Sequence, residues 1–195
     1  MLMKTAIDQI LKNIGSASEY IDEEVINEFK DILTNSKSIF VMGAGRSGLA
    51  AKAFAMRLMH LGRNAYVVGE TISPAINEDD CILAISGSGE TKTIVSAVEI
   101  AKKRGSKVLS LTSYPESSLG KISDVIMLVK GRTKIDSLDE DYIKRQIEGN
   151  YSSLTPLGTA FELTSLIFLD GLISELMEKL GKTEDDLKNR HTVFE

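Results

Sequence analysis

Two stretches of this 195-residue chain crowd glycines, hydroxyls and charges at spacings suited to binding a small anion. Gly43-Ala44-Gly45-Arg46-Ser47-Gly48 follows an apolar run and matches G-x-G-x-x-G. Glycines there let the backbone turn sharply and bring amides to an anion at the positive end of a helix. Ser86-Gly87-Ser88-Gly89-Glu90-Thr91 follows another apolar run and gathers three hydroxyls at one helix start. Thr91 lies one helical turn beyond Ser88, so hydroxyls and amides can converge on one compact anion, and a phosphate monoester fits. Capping of the helix by Ser88, with Glu90 in its first turn, accounts for one serine but not the set. Gly45, Arg46, Ser47, Ser86, Gly87, Ser88, Gly89 and Thr91 are therefore the candidate binding residues. Arg46 and Ser47 suit sugar hydroxyls or phosphate, and N-capping by Ser47 is compatible with either. No G-x-x-x-x-G-K-[ST] string is present, so this is no nucleoside-triphosphate loop. Glu70, just past the second strand-like run, sits where a dinucleotide fold places a ribose-binding acid, which keeps a dinucleotide-dependent dehydrogenase open as an alternative.

The chain has two histidines. His60 lies beside Met56 and Met59 and reads as structural, whereas His191, in a charged tail, suits proton transfer. Neither has the neighbouring acidic spacing of a metal ligand, so no metal is expected. Cys81 is the only cysteine and sits in an apolar run, which excludes a disulfide framework or thiolate cluster and predicts a reducing, cytoplasmic compartment.

These loops need a scaffold. Short apolar runs at Ile39 to Met42, Ala65 to Val68, Ile82 to Ile85, Val108 to Leu111 and Val125 to Val129 alternate with helical patterns at Ser47 to Leu61 and Thr91 to Arg104. Such runs are strands buried on both faces, and their alternation with helices predicts a right-handed parallel βαβ sheet. Apolar spacing over residues 1–36 predicts two amphipathic helices ahead of a core spanning 37–195, in one domain covering 1–195. Lys130 to Tyr151 is dense in charge and weakly periodic, a loop or exposed helix. Thr155-Pro156 predicts the start of an apolar helix that Gly181 ends. The net charge of -5 argues against nucleic acid, and Asp170 and Glu175 break the longest apolar run, so no membrane span is expected.

The two loops at this spacing, with Phe54-Ala55-Met56-Arg57-Leu58-Met59-His60-Leu61-Gly62 between them, resemble the SIS (sugar isomerase) domain. Pro156-Leu157-Gly158-Thr159-Ala160-Phe161-Glu162 and Arg190-His191 narrow the likeness to its 6-phospho-3-hexuloisomerase branch. Thr192, Val193 and Phe194 depart from the Ala-Asn-Leu expected before the last glutamate. The resemblance implies an α/β fold: a three-layer α-β-α sandwich on a five-stranded parallel sheet, flavodoxin- or Rossmann-like, preceded by N-terminal helices. It implies reversible conversion of 3-hexulose 6-phosphate to fructose 6-phosphate through an enediol, without cofactor or metal, in the ribulose monophosphate route of formaldehyde fixation. Homodimers or homotetramers with sites between subunits are implied as well. On this likeness Glu148, before Gly149-Asn150, is the expected base and His191 its partner, with Glu162 the second candidate base. A non-catalytic phosphosugar-binding module is a further alternative. Such regulators carry a DNA-binding helix pair, for which the acidic residues 4–36 are ill suited.

Overall fold

The computed structural model describes residues 1–15, 19, 21–130 and 158–191. Two helices come first, α1 (Leu2–Gly15) and α2 (Glu23–Asn35). The sheet then builds through β1 (Ile39–Gly43), α3 (Arg46–His60), β2 (Ala65–Val67), β3 (Cys81–Ile85), α4 (Lys92–Lys103), β4 (Lys107–Thr112), α5 (Ser118–Ile122) and β5 (Val125–Leu128). Two more described helices follow, α6 (Thr159–Leu180) and α7 (Glu184–Lys188). All five strands are parallel in the order β2-β1-β3-β4-β5. This is the doubly wound arrangement whose switch point lies between β1 and β3.

Alternation along β1 shows how the layers form. Ile39 and Val41 pack with α2, α3 and α6, on the face holding Phe29, Phe54, Leu58 and Leu172. Phe40 and Met42 point the other way, into the layer of α4 and α5 with Ile94, Val98 and Leu119. With both faces covered, a continuous apolar run is the stable solution, as the sequence implies.

Gly181 ends α6 in the left-handed region (φ 61°, ψ 35°), as expected. The start of that helix differs from the Thr155 expectation. Gly158 has φ 88° and is the residue before the first helical turn, so the described helix opens at Thr159. A positive φ is incompatible with a helix running through Gly158, and Thr155 and Pro156 lie outside the described residues. No described helix is long and apolar enough to cross a membrane.

Candidate functional site

The pairing Gly43 with Ile85 sets both glycine loops side by side at the carboxyl ends of β1 and β3, on the switch point of the sheet. That crevice is where open α/β sheets bind ligands. The β1 loop is packed backbone on backbone. A Cβ on Gly43 would lie 2.6 Å from the Ser47 carbonyl, and one on Gly48 would lie 2.7 Å from the Gly43 oxygen. Gly45, at φ 59°, provides the turn, after which Arg46 opens α3. Ser47 does not cap that helix. It lies inside the first turn, buried, and its hydroxyl has no hydrogen-bond partner among the described residues.

The β3 loop forms a cup of donors. Ser86 Oγ and Thr91 Oγ1 are 3.1 Å apart, and the Gly89 amide donates to Ser86 Oγ at 3.2 Å. Thr91 is the N-cap residue of α4, yet its hydroxyl makes no capping bond. Among the described residues, the amides of Gly87, Ser88, Lys92 and Thr93 have no acceptor. One of them can be oriented from its peptide plane. The Gly87 carbonyl accepts from the Ser113 amide at 3.1 Å, so the Ser88 N–H on the opposite edge faces away from β4. Orphan amides at the start of a helix, with hydroxyls beside them, are groups that could receive an anion.

Two details correct the simple capping picture. Ser88 Oγ accepts from the Glu90 amide at 3.2 Å, forming a turn ahead of the helix and no cap on α4. Glu90 precedes the first turn of α4 and turns outward, accepting from Ser118 N at 2.8 Å and Ser118 Oγ at 2.7 Å. Those bonds hold its carboxyl below the ordinary range. They also clamp the cup to α5, where Leu119 N donates to the Gly89 carbonyl at 3.0 Å. These braces come from residues 112–119, which carried no motif in the sequence.

Arg46 meets the start of α6. Its Nε is 2.7 Å from Glu162 Oε2, and Nη1 donates to Thr159 Oγ1 at 3.3 Å. Burial pushes the Glu162 carboxyl up, against the pull of Arg46. Glu148, the expected base, lies outside the described residues. Glu70 is exposed and ion-paired with Lys52 at 2.6 Å.

The histidines stand elsewhere. His60 is buried, and its ring lies 4.9 Å from the exposed ring of His191. The preceding Arg190 guanidinium covers Gly62, within 3.1 Å of where a Cβ would be. The tail thus packs at the carboxyl end of α3. Arg46 is fourteen residues earlier, so at 1.5 Å per residue the His60 end lies about 21 Å from the loops along the helix. Cys81 is buried, which pushes its thiol up to about 11 and leaves it unsuited as a nucleophile. No cluster of three or more metal-ligating side chains occurs among the described residues.

A doubly wound parallel sheet of order 2-1-3-4-5, with two glycine loops side by side at its switch point, defines an α/β domain of the flavodoxin-like class. Residues 32–142 match the SIS domain model, and the chain belongs to the SIS domain family. It is 50% identical to an uncharacterized protein of Aeropyrum pernix, over all of this chain and 92% of that one. It is 40% identical to the 3-hexulose-6-phosphate isomerase of Bacillus subtilis, over 99% of this chain and 100% of that protein. Among solved structures it is similar to a Methanococcus jannaschii protein (TM-score 0.79, 31% identity, 95% and 97% of the two chains) whose crystal structure infers a molecular function of 3-hexulose-6-phosphate isomerase. The strand order departs from the 3-2-1-4-5-6 order of dinucleotide-binding folds, and the Lys52 partner occupies Glu70, so the dehydrogenase alternative loses its support.

Proposed function

We propose that the chain is a 6-phospho-3-hexuloisomerase, interconverting 3-hexulose 6-phosphate and fructose 6-phosphate. The observation that carries this reading is the meeting of the Ser86 and Thr91 hydroxyls in a loop of unpaired amides at the switch point, groups suited to a phosphomonoester. Full-length similarity to a protein named as this isomerase supports the choice of sugar.

Phosphate in the cup fixes one end of the substrate and leaves the sugar carbons to Arg46, Ser47 and the catalytic pair. Isomerisation removes the C2 proton of the 3-ketose, leaving an enediol, and returns a proton at C3. One carboxylate, Glu148, serves both steps in this reading, and His191 assists at a substrate oxygen. The position of His191, about 21 Å along α3 from the loops, supports its serving the site of a neighbouring subunit and not its own. The sites are then shared within a homodimer or homotetramer.

The test is incubation of the purified chain, without added cofactors, with fructose 6-phosphate and separately with arabinose 5-phosphate. Turnover of the hexose phosphate supports the reading. Turnover of only the pentose phosphate refutes the substrate, and turnover of neither refutes the enzyme. Glu148→Gln should cut turnover about 100-fold or more while leaving phosphate binding in place.

A further inference from the structure

We infer that Glu162 is a positioning residue for Arg46 and not the proton acceptor of the reaction, an inference that rests on the isomerase reading above. Arg46 is the first residue of α3, where a cation opposes the helix dipole. Two partners from α6 hold it there: the Glu162 carboxylate on Nε at 2.7 Å and the hydroxyl of buried Thr159 on Nη1 at 3.3 Å. The Glu162 side chain folds back toward the start of its own helix. Its Oε1 lies 3.3 Å from where a Cβ on Gly158 would be, and its amide donates to the Gly158 carbonyl at 3.0 Å. A glycine with φ 88° at 158 leaves room for this return.

The arrangement ties one edge of the guanidinium and leaves the rest open. Of the five donors of an arginine, Nη1 is hydrogen-bonded to Thr159 and Nε meets Glu162 as an ion pair without hydrogen-bond geometry, while 49% of the side chain stays exposed. Gly43 pairs with Ile85, so Arg46 and Ser88 each follow a paired strand end by three residues, on strands about 4.8 Å apart. The cation therefore stands at the same end of the sheet as the hydroxyl cup. With the phosphate charge met by the cup, the remaining Arg46 donors suit the sugar oxygens on which enediolate charge develops. A proton placed on Glu162 would dissolve the ion pair that holds Arg46. Acting as base and orienting Arg46 are thus exclusive roles, and the 2.7 Å contact assigns the second.

The experiment is a double-mutant cycle on kcat and KM with fructose 6-phosphate, using wild type, Glu162→Gln, Arg46→Gln and the double variant. Glu162→Gln keeps the shape of the side chain and should lower kcat about tenfold or more, as Arg46 loses the ionic partner that positions it, with a smaller change in KM. In the Arg46→Gln background the same change should have no further effect. Arg46→Lys keeps the charge but loses the two-point hold, and should fall between wild type and Arg46→Gln. Losses that multiply in the double variant overturn the inference, because a base acts whether or not Arg46 is present. An unchanged kcat in Glu162→Gln overturns it too. Wild-type turnover in the same assay separates the two levels: an inactive wild type sinks the isomerase reading, whereas active wild type with multiplicative losses sinks only this inference.

Discussion

Replacing Gly89 by alanine tests whether the anion cup is built by its brace. Gly89 has φ 64°, and a Cβ there would lie 1.9 Å from Ser117 Oγ and 2.5 Å from Ser117 Cβ. Gly181 makes the control, because its φ is 61° yet nothing lies within 4 Å of its Cβ position. Both substitutions bear the left-handed backbone cost, about 1 to 2 kcal/mol. Only Gly89→Ala must also displace Ser117, whose hydroxyl accepts from Gly120 N at 3.2 Å and caps α5. Overpacking costs about 1 to 3 kcal/mol and a lost cap about 1, so Gly89→Ala should be about 2 to 4 kcal/mol less stable than Gly181→Ala. Urea unfolding at one fixed protein concentration reads the difference as a shift in midpoint. Adding Ser117→Gly to Gly89→Ala should recover part of the loss, since the overlapping atoms are gone. Equal midpoints for Gly89→Ala and Gly181→Ala would refute the packing argument.

Ser86→Ala, Ser88→Ala and Thr91→Ala should each raise KM, a hydrogen bond to a charged group being worth about 1.5 to 3 kcal/mol; unchanged KM in all three removes the cup as the phosphate site. Mixing inactive Glu148→Ala and His191→Ala chains should restore activity if each site joins residues of two subunits, since a hybrid then contains one intact site; silence despite demonstrated subunit exchange refutes the shared site. Burial raises the Asp124 carboxyl, but the Lys102 ammonium at 2.7 Å and the Val108 amide at 2.8 Å outweigh it and hold the group below the ordinary range. A depressed folded-state value gives stability that is present above the unfolded carboxylate range and is lost as pH falls through the folded value. Asp124→Asn should accordingly flatten the acid limb of a melting-temperature-against-pH curve, and an unaltered limb refutes the assignment.

The strands were legible because burial on both faces makes each a continuous apolar run, as in Cys81–Ile85, and the glycine loops because the turn demands glycine. What joins distant segments was not legible. Arg46 and Thr159 are 113 residues apart, and Glu90 and Ser118 are 28 apart, so neither pairing leaves a periodic trace. The histidines are the clearest case: His60 read as structural and His191 as chemical, and only the fold brings their rings together. Thr155-Pro156 carries the local signature of a helix start, while the left-handed backbone of Gly158 sets the boundary of the described helix. Glu148 rests on family likeness alone, which makes its substitution the most informative of the site variants.

The most direct test of the account is a cofactor-free incubation of wild-type chain with fructose 6-phosphate in deuterium oxide, followed by carbon and proton nuclear magnetic resonance. The account predicts a second ketose phosphate with its carbonyl at C3, and deuterium entering C3 of the fructose 6-phosphate that remains. Fructose 6-phosphate recovered with no second ketose, or labelled at C1, would contradict it.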